Sequence, residues 1–152
     1  MPAGSKYWIS EGMLGKQITN IDFDGDGIID HVSFSVTNKF LHPNHPLGWV
    51  RKITVSIDGV VVDDEAACFV LREQWIPLKY VPTIRDIWWN ATESARIVVP
   101  SERLETGSTH NIKCNLDVSL MVHDKNIDRY DKYSRLYCEL EENMVALEDN
   151  EV

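Results

Sequence analysis

The segment HNIKCNLDVSLMV, residues 110–122, decides the fold because its side chains alternate between apolar and polar. An alternation with a period of two predicts an extended strand with one face on a core and the other in water. Shorter versions of the pattern occur in RKITVSIDG (51–59), ARIVVP (95–100) and SRLYCELEE (134–142). The residues predicted to point into the core along the long segment are Ile112, Cys114, Leu116, Val118, Leu120 and Val122. Several such strands in one chain indicate an all-β protein.

Turn signals separate the predicted strands. Asp58-Gly59 is a typical hairpin dipeptide, and SERLETGST (101–109) has the composition of a loop. No segment before the C-terminal end shows a convincing helical period. We therefore predict a single domain over residues 1–141, an antiparallel β-sandwich of the jelly-roll type. Residues 142–152 are acidic and few, and we predict a C-terminal tail that is disordered rather than a frayed helix.

The overall composition limits the classes of partner. The chain has 152 residues, of which 43% are hydrophobic and 26% charged, which is ordinary for one soluble domain with a sizeable core. The net charge is −9, and no basic run offsets it locally. Binding to nucleic acid or to an anionic membrane surface is therefore not expected. Proteins, cations and neutral molecules remain as partners.

The N-terminus and the cysteines both point to a reducing compartment. The opening residues MPAGSKYWISEG contain no apolar signal-peptide region, and no apolar run approaches the roughly 20 residues that span a bilayer. Cys68, Cys114 and Cys138 are dispersed and lie among apolar residues, with no Cys-x-x-Cys pair. We expect a cytoplasmic protein whose cysteines are reduced thiols in the core.

An unusually acidic turn lies in NIDFDGDGIIDHVSFSV, residues 20–36. Its four aspartates occupy positions one, three, five and nine of the EF-hand loop pattern, with Gly27 at position six. Ser33 stands at position twelve in place of the bidentate glutamate, and no amphipathic helix flanks the loop, so this is not an EF-hand. Instead, Val32, Phe34 and Val36 alternate with hydroxyl residues as in a half-buried strand.

Two interpretations of this turn remain open. It looks like the calcium turns of β-propeller and adhesin repeats, and a structural Ca²⁺ would then be held by oxygen ligands. Alternatively, it is an ion-free turn, because Asp and Gly both favour turns through their own backbone preferences. The proposed ligands are the carboxylates of Asp22, Asp24, Asp26 and Asp30 and the carbonyl of Ile28.

Two further segments carry candidate functional side chains. In FLHPNHPLGWV (40–50), His42 and His45 each precede a proline, but no third metal ligand follows at a matching spacing, so polar loop histidines are the simpler interpretation. The segment REQWIPLKYVPTIRDIWWN (72–90) interleaves aromatic residues with cations. Such a segment suits a platform for sugar or aryl groups, a protein interface, or a buried aromatic core.

The order of several segments resembles the small β subunit of bacterial C-glycoside deglycosidases over residues 7–141. The segments that carry the resemblance are YWISEG, the loop with Pro46-Leu47, VRKITVSIDGVVVDDEAACFVL, WWNATESARIVVP and LETGSTHNIKCNLDVSLMV. The resemblance implies a β-sandwich that works only with a larger barrel-shaped subunit, which holds a divalent metal such as Mn²⁺ and most catalytic residues. It further implies 3-oxo-C-glycosides of aromatic aglycones, such as flavonoids, as substrates of the complex.

The resemblance assigns no catalytic residue to this chain, and no nucleophile elbow, phosphate-binding loop or zinc signature is present in the sequence. We expect the chain to have no activity alone. The loop with His42, His45, Pro46 and Leu47 is predicted to lie exposed at the subunit boundary, near the mouth of the partner's active site. The competing interpretations are a calcium-stabilised carbohydrate-binding or protein-interaction module and, more weakly, an independent sandwich enzyme acting on sugars.

Overall fold

The computed structural model describes residues 5–6, 12–39, 44–119 and 135–147. This part of the chain contains twelve β-strands and three short 3-10 helices. The strands are β1 (Ser5–Lys6), β2 (Gln17–Ile21), β3 (His31–Thr37), β4 (His45–Pro46), β5 (Val50–Ile57), β6 (Val60–Val61), β7 (Cys68–Leu71), β8 (Gln74–Pro77), β9 (Trp88–Trp89), β10 (Ser94–Pro100), β11 (Thr109–Ser119) and β12 (Arg135–Leu147). The 3-10 helices are Leu47–Trp49, Asp64–Ala66 and Leu78–Thr83.

Ten of these strands form one hydrogen-bonded sheet in the order β6-β5-β11-β12-β2-β3-β10-β7-β8, with β1 added beside β12. The remaining two, β4 and β9, form a separate two-stranded ribbon. The prediction of a single all-β domain is confirmed. The sheet is mixed rather than purely antiparallel, because β12 pairs in parallel with both β1 and β2. These parallel pairs join strands that are distant in sequence and are therefore not signalled by a hairpin turn.

The predicted alternation is confirmed along the described strands. In β11, the residues from Ile112 to Val118 with even numbers are buried, whereas Lys113 and Asn115 are exposed. In β3, Val32, Phe34 and Val36 are buried in the same core. Leu120 and Val122, which were predicted to continue the pattern, lie outside the described residues. One face of the sheet therefore supplies the main core.

The sheet folds over so that its two ends come into contact. Arg51, at the start of β5 near one edge, donates through Nη1 to the carbonyls of Gly48 at 2.8 Å and Pro82 at 2.9 Å. Pro82 lies in the 3-10 helix that follows β8, the strand at the other edge. Gly48 also donates its amide to Ile84 at 2.8 Å, and a β-carbon on Gly48 would lie 2.5 Å from the Ile84 carbonyl oxygen. The core is therefore enclosed by the buried face of one continuous sheet, whereas the predicted sandwich would enclose it between two separate sheets.

The C-terminal boundary differs from the prediction. Strand β12 continues past Glu141 to Leu147, and Met144 and Ala146 are buried in the main core. Residues 142–147 therefore belong to the domain rather than to an acidic tail. Their backbone pairs with β11 as far as Val145 and with β2 from Val145 to Leu147, and Met144 and Ala146 fill the core. The rest of the predicted tail, residues 148–152, lies outside the described residues.

The prediction that the cysteines lie in the core is confirmed for Cys114 and Cys138, whereas Cys68 is only partly buried. Cys68, Cys114 and Cys138 are free, and Cys114 and Cys138 are buried on β11 and β12. Burial raises the pKa of Cys114 and of Cys138 to about 12, because a thiolate is poorly solvated there. Both are therefore uncharged core thiols at neutral pH.

Candidate functional site

The acidic loop, residues 22–30, connects β2 to β3. Ile21 and His31 pair across the two strands, and the Asp30 amide donates to the Ile21 carbonyl at 3.1 Å. Gly27 has a φ of 88°, a conformation that a residue with a β-carbon rarely adopts. The predicted turn into a strand is confirmed, and strands stand where an EF-hand has helices.

Backbone amides hold the carboxylates of the acidic loop in place. Asp22 accepts hydrogen bonds from the amides of Gly25 at 2.9 Å and Gly27 at 2.6 Å. Asp26 accepts one from the Ile28 amide at 2.8 Å. Each carboxylate has about four lone-pair sites, so these bonds leave capacity for another ligand. The loop is therefore ordered by its own backbone before any cation enters.

The carboxylates differ in their affinity for protons. Partial loss of hydration raises the pKa of Asp24. A hydrogen bond from the Asp26 backbone lowers this pKa, but the side-chain hydrogen bond and the charge of Asp26, together with the charge of Asp30, raise it. In contrast, the hydrogen bond from His31 Nδ1 at 2.9 Å, together with that from the Phe23 amide, lowers the pKa of Asp30. The crowding around Asp24 is of the kind that a bound cation relieves.

The four carboxylates of the acidic loop lie close enough together to share one divalent ion. Asp22, Asp24, Asp26 and Asp30 each offer an oxygen, and these oxygens lie within 4.8 Å of one another. Two oxygens bound to one Ca²⁺ at about 2.3–2.6 Å can be up to about 5.2 Å apart, whereas Mg²⁺ at about 2.1 Å allows only about 4.2 Å. The arrangement therefore fits Ca²⁺ better than Mg²⁺, and the part of the Ile28 carbonyl stays a prediction.

Aromatic side chains lie directly beside the acidic loop on the outer face of the sheet. The ring centroid of Phe23 is 4.8 Å from that of His31 and 5.4 Å from that of Trp75. The Arg96 guanidinium lies 5.6 Å from the centroid of Trp75. Beneath them is a small second core of Ile21, Val70 and Val98. The sheet is thus partly covered on its outer face too, which ties the loop to β7, β8 and β10.

The loop that was predicted to lie exposed at the subunit boundary is largely buried where the structure describes it. His45 is 1% exposed and Leu47 0% exposed, whereas Pro46 is half-buried and His42 lies outside the described residues. The His45 ring is stacked on Trp49 with the centroids 5.8 Å apart, and its Nδ1 donates to the Pro46 carbonyl at 3.0 Å. The prediction that His45 and Leu47 are exposed contact residues is wrong, because closure of the sheet places both inside.

The aromatic segment 72–90 divides between core and surface. Trp89 is fully buried, with its ring edge-on to Phe69 at 5.2 Å and its indole N–H donating to the Glu93 carbonyl at 2.9 Å. Trp88 is 48% exposed on the opposite side of the same short strand, β9, and Tyr80 is 51% exposed. The core interpretation holds for Trp89, and the exposed rings of Trp88 and Tyr80 are available for contact with other molecules.

A hydrogen-bonded Ser–His–Asp chain was not predicted from the sequence. Ser108 Oγ lies 2.7 Å from His110 Nε2, and His110 Nδ1 lies 2.6 Å from an oxygen of Asp58. The Ser108 hydroxyl also donates to the Glu105 carbonyl at 2.5 Å, so its single proton is not directed at the histidine. A nucleophilic serine needs the reverse, with its proton given to Nε2. These hydrogen bonds therefore brace two turns against each other. They were not predicted because Asp58 lies 52 residues from His110.

Asp58 anchors this brace at the predicted β5–β6 hairpin. Asp58 and Gly59 have φ values of 50° and 86°, as a two-residue hairpin turn with both central residues left-handed requires. The hydrogen bond with His110 lowers the pKa of Asp58, and a hydrogen bond from the Asn111 amide lowers it further. The carboxylate therefore stays charged. The Asp-Gly hairpin signal is confirmed, and the aspartate has a second role that the dipeptide alone does not show.

These features define a single-domain β-sheet protein with an acidic loop and an aromatic cluster on its outer face and exposed aromatic rings near a short ribbon. The sequence profile of the family described as C-glycoside deglycosidase beta subunit matches residues 33–121, which run from β3 through β11. The chain belongs to this family. A comparison with curated proteins gave no match. The acidic loop precedes the matched residues.

Membership in a beta-subunit family implies a heteromeric complex with another subunit. Among the described residues, no helix combines the length and the apolar character needed to cross a membrane.

Proposed function

We propose that this chain is the small subunit of a C-glycoside deglycosidase and supports a larger, barrel-shaped subunit that carries the catalytic residues. The observation behind the proposal is the family match over residues 33–121, which includes the exposed Trp88 and the buried loop around Leu47. The proposed substrates of the complex are 3-oxo-C-glycosides of aromatic aglycones, such as flavonoids.

The proposed reaction is a β-elimination that breaks the carbon–carbon glycosidic bond. The ketone at C3 acidifies the proton at C2, and a base of the larger subunit removes it. The electron pair then forms the C1–C2 double bond while the aryl carbon leaves C1 with its bonding pair and is protonated. A divalent metal such as Mn²⁺ in the larger subunit would stabilise the negative charge on the sugar oxygen.

The test of this proposal is reconstitution. The purified chain alone is expected to give no turnover of a 3-oxo-C-glycoside, and activity is expected only when the larger subunit is added. Formation of a stable complex should bury about 2,000 Å² or more if the association is obligate. Release of free aglycone, measured by chromatography, reports the reaction. Turnover by this chain in the absence of the larger subunit would contradict the proposal and favour an independent enzyme.

We propose that the ribbon of β4 and β9 faces the larger subunit. Trp88 pairs with Pro46 across this ribbon, and its half-exposed indole offers the apolar contact that the buried Leu47 cannot. Tryptophan is over-represented among residues that dominate binding energy at interfaces. The proposed contact with the larger subunit therefore lies at this ribbon and is made by Trp88, whose side chain reaches the surface.

Replacing Trp88 by alanine is expected to weaken assembly about tenfold or more while the melting temperature of the chain changes little. Phe23→Ala is the matched control, because Phe23 is 47% exposed but lies in the acidic loop rather than in the ribbon. Both variants are titrated with the larger subunit by calorimetry. Equal affinity of Trp88→Ala and the unaltered chain would place the interface elsewhere.

We also propose that the acidic loop binds one structural Ca²⁺. Support comes from the clustering of its four carboxylates within 4.8 Å and from the raised pKa of Asp24. The position of the loop, directly beside Phe23 and His31, means that an ion there would fix the end of the aromatic cluster. Its role would be to stabilise the β2–β3 connection rather than to take part in catalysis.

A further inference from the structure

A shallow groove of about 230 Å³ lies on the outer face of β2, β3 and β10. Its polar lining residues are Lys16, Gln17, Thr19, Ser33, Ser35 and Arg96. We refer to it as the outer-face groove. It lies next to the aromatic cluster, because Arg96 stacks on Trp75.

The charge of the outer-face groove is opposite to that of the chain. The protein carries a net charge of −9, yet Lys16 and Arg96 both line the groove, and no aspartate or glutamate of the described ranges lines it. No carboxylate in the described part of the chain pairs with either cation. The local potential is therefore positive and favours an anion.

One hydroxyl on the groove side of β3 has no protein partner within the described part of the chain. Ser33 is 5% exposed, and its side chain makes no hydrogen bond to any group in the described ranges. The Ser33 Oγ stays accessible to solvent at the groove, so water satisfies it there. Ser33 lies on the groove side of β3, opposite Thr19 on β2. A ligand in the groove would replace this water and accept the hydrogen bond that the hydroxyl donates.

A glycine keeps the groove open. The Gly15 amide donates to the Ser35 carbonyl at 3.0 Å, so the chain runs close to β3 at this point. A β-carbon on Gly15 would lie 2.4 Å from the Ser35 hydroxyl oxygen. Any other residue here would displace the Ser35 side chain that lines the groove.

We propose that the outer-face groove binds a compact oxyanion, either a phosphate or a carboxylate. Its lining offers donors from two cations and three hydroxyls, which match the acceptor oxygens of such an anion. Among the described residues, no carboxylate lines the groove to accept hydrogen bonds from the hydroxyls of a neutral sugar. The proposal concerns this chain alone and does not depend on the deglycosidase reaction.

The test is a titration of the full-length chain with inorganic phosphate and, separately, with acetate at constant ionic strength. Amide and arginine side-chain resonances are followed by NMR. We expect saturable shifts at Lys16, Ser33, Ser35 and Arg96 with one of the two anions, which identifies the class of ligand. Constant ionic strength is required because unspecific screening otherwise produces similar shifts.

Three variants separate specific binding from general charge effects. Arg96→Gln is expected to weaken binding at least about tenfold, since hydrogen bonds to charged groups are among the stronger ones. Lys113→Gln, which removes an exposed cation from β11, should leave affinity unchanged. Ser33→Ala should weaken binding without lowering the melting temperature, because the hydroxyl has no hydrogen-bond partner to lose in the described part of the chain.

Two outcomes would overturn the proposal. One is the absence of saturation with both anions up to about 100 mM, well beyond the millimolar range of weak specific sites. The other is an equal loss of affinity in Arg96→Gln and Lys113→Gln, which would show that overall charge, and not the groove, attracts the anion. Should Arg96→Gln fail to fold, Ser33→Ala alone decides, since unchanged affinity in that variant also rejects the site.

Discussion

Replacing Leu47 by alanine is expected to lower the free energy of unfolding by about 2–5 kcal/mol. Leu47 is fully buried and belongs to the main core, and its amide donates to the Ile87 carbonyl at 2.8 Å, which fixes the backbone around it. Truncation removes apolar contacts and leaves a cavity that this tethered segment cannot easily collapse to fill. Chemical denaturation of the isolated chain measures the loss.

The matched control for Leu47→Ala is Val60→Ala. Val60 is 70% exposed on the edge strand β6, so its truncation should change stability by no more than about 0.5 kcal/mol. A denaturation midpoint for Leu47→Ala equal to that of the unaltered chain would mean that the segment is not packed in solution. It would also restore the prediction of an exposed boundary loop made from the sequence.

Calcium is expected to stabilise the chain by about 2.7 kcal/mol when present at a hundredfold excess over its dissociation constant. The physical reason is that Ca²⁺ binds the folded loop, where four carboxylates are already gathered, much better than the unfolded chain. Melting curves in excess Ca²⁺, in excess Mg²⁺ and with chelator measure the effect. The shift should be largest with Ca²⁺, since the carboxylate spacing suits the larger ion.

Asp24→Asn is the variant that tests the loop as the origin of this shift. It removes one charged ligand while keeping a side-chain oxygen that can accept the hydrogen bond from the Asp26 amide. The calcium-dependent shift should shrink, whereas melting with chelator should not fall, because repulsion in the loop is reduced. Asp86→Asn, at an exposed position outside the loop, should retain the full shift. Identical melting with Ca²⁺ and with chelator would leave the ion-free turn as the correct interpretation.

The locally encoded features of the fold follow from the sequence. The alternation in β3 and β11 and the turn at Asp58-Gly59 are each determined by a few consecutive residues. A strand turns successive side chains to opposite faces, so burial on one side imposes a period of two that can be recognised directly. The acidic loop was recognised for the same reason, because all of its candidate side-chain ligands lie within nine residues.

The candidate interface could be predicted only in part. The prediction from the sequence chose Leu47 in the segment that leads from β4, whereas the structure gives the exposed position next to this segment to Trp88. Both residues are apolar and both lie near prolines or loop residues, so their local surroundings do not distinguish them. Burial depends on the contact between β5 and the 3-10 helix after β8, which joins opposite edges of the sheet.

The sequence by itself determined that the chain is an all-β domain, where its longest strands lie and which side of them is apolar. Only the tertiary structure decided that β12 pairs with β2 in parallel, that residues 142–147 extend the sheet, and that Ser108, His110 and Asp58 meet. The reason is that side-chain periodicity is set by backbone geometry within a few residues. Pairing between distant strands instead depends on which arrangement satisfies the hydrogen bonds and apolar surfaces of the whole chain together.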